Sequence, residues 1–177
     1  MSLKSTPRRY GSVAILIHWV TAAAIAAMLA TGFLASNATD TAAETGLLRF
    51  HAIVGVCIAL LTVFRIVWWV VFDRRPEDGA SPSRLEHLAA RSVHYGLYLV
   101  ILVMVASGMG TLILSGGNLV LFGGGGTLPD FTQVPPFTVH AVVSRLLLLL
   151  ALGHIGAALF HQFIRRDNLL ARMGLGR

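Results

Sequence analysis

HAVVSRLLLLLALGH places a histidine at each end of one of the most apolar stretches in the chain, His140 and His154. Imidazole ligates metals, changes charge near neutral pH, and is costly in an apolar medium unless something uses it. In a helix a separation of fourteen positions rises about 21 Å and turns just short of four revolutions. Both rings therefore leave one helix face at two depths. Five further histidines, His18, His51, His87, His94 and His161, complete the set. The single cysteine, Cys57, allows neither an intrachain disulfide nor a CxxCH haem-attachment motif, and reads as a small packing residue.

The elements that must hold these side chains follow from composition. Of the 177 residues, 55 % are hydrophobic and only 12 % charged, which is too apolar for an ordinary soluble domain. Roughly 20 apolar residues span a bilayer core. Four stretches qualify, at about 13–34, 47–72, 88–114 and 137–164. Together they take most of the chain and predict one all-α domain over 1–177, an integral membrane antiparallel four-helix bundle. The first stretch follows Arg8 and Arg9 and ends among small residues like a secretory signal. Its length and its His18-Trp19 pair favour a retained helix.

Charge orients the bundle. Lys4, Arg8 and Arg9 precede the first span, Arg74, Arg75 and Arg84 separate the second from the third, and Arg165, Arg166, Arg172 and Arg177 follow the fourth. The other connections hold Arg49 against Asp40, Glu44 and Asp130. The positive-inside rule puts both termini in the cytoplasm. The basic balance thus reports topology and contact with membrane lipid, with no clustered face for nucleic acid. DRRPEDGASPSR reads as a solvated cytoplasmic loop. SGGNLVLFGGGGTLPDFTQVPP is Gly-rich but lacks GK[ST], so it predicts a cap folded onto the outer end and not a phosphate loop. No strong internal repeat stands out.

Alternating chain direction sorts the histidines by depth. His51 and His140 both begin outer helix ends, whereas His18 lies deeper, level with His154. Each level offers two imidazoles from different helices, which is what a six-coordinate haem iron takes. Zinc would want three or four ligands converging on one point.

The motifs HWV at His18, RFHAIVG at His51 with the later Arg65, HYGLYLVILVMVASG at His94, the paired His140 and His154, and the ending FIRRDNLLARM together resemble the bacterial cytochrome b561 family. These are small diheme membrane proteins, related to the cytochrome b subunits of formate dehydrogenase and nickel-iron hydrogenase. The resemblance covers nearly the whole chain. It implies two b haems, His18 with His154 on the cytoplasmic side and His51 with His140 on the periplasmic side, in agreement with the pairing by depth. It also implies a multi-pass protein of the bacterial inner membrane that oxidises periplasmic superoxide and reduces ubiquinone. The donor is superoxide or a periplasmic electron donor; the alternative is a cytochrome b electron-transfer subunit that links a soluble dehydrogenase or other redox partner to the quinone pool.

The remaining polar residues carry two readings each. Arg65, fourteen residues after His51, is a partner for haem propionates or a snorkelling interfacial cation. Arg145, five residues past His140, is a propionate or other polar partner. His94 and His161 near the cytoplasmic side are quinone-site or packing histidines, and His87 is interfacial. Gly32, Gly55, Gly96 and Gly108 sit in helix interiors, where small residues let helices approach. Gly55, one turn from His51, is expected to clear space for haem.

Overall fold

A computed structural model describes residues 2–76 and 84–175. Helix α1 spans Ser12–Ser36, α2 Thr41–Val67, α3 Arg84–Leu114, a short α4 Gly117–Gly123, α5 Pro135–Phe160 and α6 Leu169–Arg172. Helices α2 and α5 each widen into a π-helical turn, Trp68–Phe72 and His161–Arg165. Four of these helices, with their extensions, are long and apolar enough to cross a membrane.

Several helices begin earlier than hydropathy suggests, because polar residues start them. Asp40 caps α2 by accepting the Ala43 N–H at 2.8 Å, and Glu44 in the first turn complements the helix dipole. Pro135 and Pro136 open α5, where their missing N–H groups cost nothing. Most of the loop between α2 and α3, expected to be solvated, lies outside the described residues.

Helix α1 packs along α2 and α3 along α5; the two hairpins then meet through α2 and α3. The buried core is a small cluster, Ile58, Val100, Ile101 and Leu147. Leu16, Phe33, Leu60, Val70, Leu99, Leu149 and Phe163 remain exposed, as expected for side chains that face lipid.

The hairpins repeat one another, contrary to the expectation of no strong repeat. MLATG over 28–32 and MVASG over 104–108 both follow a histidine-aromatic pair, His18-Trp19 and His94-Tyr95, at the same spacing. HAIVG at His51 is matched by HAVVS at His140. Fourteen residues later stand Arg65 and His154. The substitutions between the copies are conservative in shape but erase identity, so the pattern emerges only when the hairpins are compared.

The connection between α3 and α5 folds back as a cap. Gly116, at φ 75°, makes the turn into α4 that a residue with Cβ resists. Leu121 of α4 is 1 % exposed, and its carbonyl accepts Arg49 Nε at 2.8 Å, tying the cap to α2. At the other end the N-terminal segment is strapped down. Asp73 accepts the Ser5 N–H at 3.0 Å and the Ser5 hydroxyl at 2.8 Å, and Trp68 Nε1 at 3.2 Å. Trp19 Nε1 reaches the Met173 carbonyl at 3.0 Å, and an ion pair joins Arg165 to Glu86.

Candidate functional site

Seven-residue steps, about 10.5 Å each, layer the bundle interior. On α5 they run His140, Leu147, His154; on α2, His51, Ile58, Arg65; on α3, Ile101 lies seven after His94. The apolar core cluster therefore sits between two polar layers. Each polar layer holds one facing pair of imidazoles. His51 and His140 have ring centres 6.1 Å apart at 68°, and His18 and His154 have ring centres 6.1 Å apart at 67°.

That separation fits a shared iron. An imidazole nitrogen binds a first-row metal at about 2 Å, and the ring centre lies roughly 1 Å behind it, so two trans imidazoles stand about 6 Å centre to centre. Among the described residues no group of three or more His, Cys, Asp or Glu forms a site for a bare ion. Helix α5 makes little backbone contact with α1 or α2, so the rings face one another across gaps that a flat macrocycle suits.

The His51–His140 pair is built symmetrically. His51 Nδ1 stands 3.2 Å from Thr31 Oγ1, and His140 Nδ1 stands 3.3 Å from Ser107 Oγ and 3.0 Å from the Met104 carbonyl. A Cβ on Gly32 would meet His51 Cε1 at 3.3 Å; one on Gly108 would meet His140 Cε1 at 3.0 Å. Thus Thr31-Gly32 and Ser107-Gly108 each seat one imidazole. At Gly55, expected to clear space for haem, a Cβ would meet Met28 Cε at 3.3 Å. The signal that would have found Gly32 and Gly108 was the repeated Met-x-Ala-Thr/Ser-Gly.

The His18–His154 layer is less symmetric. Arg65 Nη1 donates to His18 Nδ1 at 3.2 Å, and the guanidinium lies over the Tyr98 ring at 5.9 Å. Its Nε is buried without a hydrogen-bond partner, as are the hydroxyls of Thr21 and Thr62. An orphaned buried guanidinium N–H calls for an anionic acceptor, and a haem propionate would be one. A histidine that ligates through Nε2 carries its proton on Nδ1 and cannot accept from Arg65 there. Ligation thus frees the Arg65 N–H as well.

The other expected residues separate. His94 lies against His154, ring centres 5.3 Å apart. His161 pairs with Asp167 at the helix end and makes no hydrogen bond or ring contact with His94. Arg145 is exposed, and its Nη1 donates to the Ala141 carbonyl of its own helix at 2.7 Å. His87 lies in the first turn of α3.

A profile of the prokaryotic cytochrome b561 family matches residues 9–176. "Cytochrome b561 homolog 2" of Escherichia coli (strain K12) is 29 % identical over 98 % of this chain and 95 % of its own length. "Cytochrome b562" of Cereibacter sphaeroides is 29 % identical over 93 % of this chain and 94 % of its own. "Cytochrome b561 homolog 1" of Escherichia coli (strain K12) is 25 % identical over 93 % and 96 % respectively. No solved structure matches the chain. A family profile that covers almost every residue of a four-span helical bundle places this chain in the prokaryotic cytochrome b561 family, the membrane cytochromes of b type.

Proposed function

We propose that the chain holds two b haems, one between His51 and His140 and one between His18 and His154, and carries electrons from periplasmic superoxide to ubiquinone across the bacterial inner membrane. The observation that supports this most is the recurrence of one imidazole spacing, 6.1 Å, at two levels of the same bundle. Haem b, when bound, supplies a one-electron ferric–ferrous couple. Two superoxide ions give two dioxygen molecules and two electrons; ubiquinone takes those electrons and two protons to become ubiquinol.

The chain's own residues divide the work. Thr31, Ser107 and the Met104 carbonyl hold the outer imidazoles by Nδ1, which fixes their planes and leaves Nε2 for iron. Arg65 meets propionate charge at the inner level. Near the inner membrane edge, His161 beside Asp167 forms an imidazole–carboxylate pair suited to passing a proton to a quinone that arrives through the lipid. His94 was the other candidate for that site. The cap formed by α4 keeps the outer level near the surface, where a small reductant can approach without entering the membrane.

The test is the visible spectrum of the purified protein in detergent. Superoxide added under anaerobic conditions should reduce the b bands, and a soluble ubiquinone analogue added next should reoxidise them. Superoxide that leaves the spectrum unchanged would exclude this donor and point to the dehydrogenase-linked alternative.

A further inference from the structure

Each proposed ligand has a polar neighbour from the other helix of its own hairpin. Thr31 of α1 stands beside Nδ1 of His51 of α2, Arg65 of α2 beside Nδ1 of His18 of α1, and Ser107 of α3 beside Nδ1 of His140 of α5. His154 of α5 is the exception: no hydrogen bond reaches its ring among the described residues, and the only α3 side chain in ring contact with it is His94. The repeat makes that juxtaposition systematic, because His94 is the equivalent of His18 and His154 the equivalent of Arg65. The contact of His94 with His154 is thus the second hairpin's copy of the contact between His18 and Arg65.

We propose that His94 is the positioning residue of His154, accepting the His154 Nδ1–H so that the ring plane is fixed and Nε2 is turned toward iron. This rests on the assignment of His154 as an axial ligand and replaces the quinone-site role considered for His94. The chemistry of His94 suits it. In its neutral tautomer an imidazole carries a proton on one nitrogen and keeps the other as an acceptor. Two imidazole nitrogens at a hydrogen-bonding distance of about 3 Å place their ring centres roughly 5 Å apart, close to the separation observed. A ligand histidine whose distal N–H is accepted in this way is held in orientation and made a stronger donor.

The experiment uses the full-length, haem-loaded protein and the variants His94→Phe, His94→Gln and His154→Ala. His94→Phe fills the space without an acceptor, and His94→Gln restores a carbonyl that can accept. Three properties of the inner haem are followed: its low-spin ferric resonance, its midpoint potential, and its rate of transfer to apomyoglobin. In His94→Phe the transfer rate should rise roughly 10-fold or more, the potential should rise and the resonance should shift, with the outer haem unaltered. His94→Gln should move all three back toward the wild type. A His94→Phe protein whose inner haem is unchanged in all three would overturn the proposal. So would one altered only in its rate of quinone reduction, which would return His94 to the quinone site. His154→Ala separates the two layers of inference: retention of both haems in that variant would remove the ligand assignment itself.

Discussion

Arg65 donates to His18 across the α1–α2 hairpin at 3.2 Å, and its neighbouring Nε has no acceptor at all. A partly buried cation within the span with a spare, buried N–H is costly unless an anion joins it. Arg65→Met, which keeps the aliphatic bulk, should therefore weaken inner-haem retention by about 10-fold and lower that haem's midpoint potential, because a positive charge beside iron disfavours the ferric state. A redox titration resolving the two haems checks this. An unchanged inner potential would show that Arg65 meets the membrane interface and not propionate.

Glycine at 108 is held by space. Gly108→Ala puts a methyl 3.0 Å from His140 Cε1, whereas Gly32→Ala meets His51 at a milder 3.3 Å and Gly46→Ala meets nothing within 4 Å. Overpacking of this kind costs about 1–3 kcal/mol. Outer-haem absorbance per chain should fall most in Gly108→Ala, less in Gly32→Ala, and not at all in Gly46→Ala.

Asp73 fastens the N-terminal segment beneath the inner level. Burial pushes its carboxyl up, but the hydrogen bonds from the Ser5 hydroxyl and N–H, the Arg74 N–H and Trp68 outweigh that and hold it below its ordinary value. A depressed carboxyl contributes stability that is present above its unfolded value of about 3.9 and is lost as the pH falls through the folded one. Asp73→Asn should accordingly make the segment before Gly11 more susceptible to limited proteolysis at neutral pH. The wild type should reach the same susceptibility only in acid.

The basic residues before α1 and after α5 predict that both ends of the chain lie in the cytoplasm. Alkaline phosphatase fused after the last residue should be inactive and a fluorescent protein there bright. The opposite pattern would place the Arg49-clamped cap of α4 on the cytoplasmic side.

Four spans and the depths of the histidines could be read from the sequence because both depend only on hydropathy and on counting along a helix. His140 and His154 had to share a face wherever that face pointed. Rotation could not be read. Helices that are apolar all round present no stripe to orient them, so the exposure of Arg145 on α5 was not legible in the pattern. For the same reason His94 and His161 were grouped by depth alone, while the structure sets one beside His154 and the other beside Asp167.

Small residues posed a different difficulty. Gly32, Gly55 and Gly108 are alike in sequence, and only contact with His51, Met28 and His140 tells them apart. The strap from Ser5 to Asp73 joins residues far apart in the chain, and nothing local in either segment announces the other.

The measurement that bears most on the two-haem proposal is the haem content per chain, by pyridine haemochrome against protein determined by amino-acid analysis, in the wild type, His140→Ala and His154→Ala. Two haems are predicted in the wild type and one in each variant, with the outer haem missing from His140→Ala and the inner from His154→Ala. A wild type that holds a single haem, or a single substitution that removes both from a folded protein, would contradict the assignment of α5 as the helix that supplies one ligand to each.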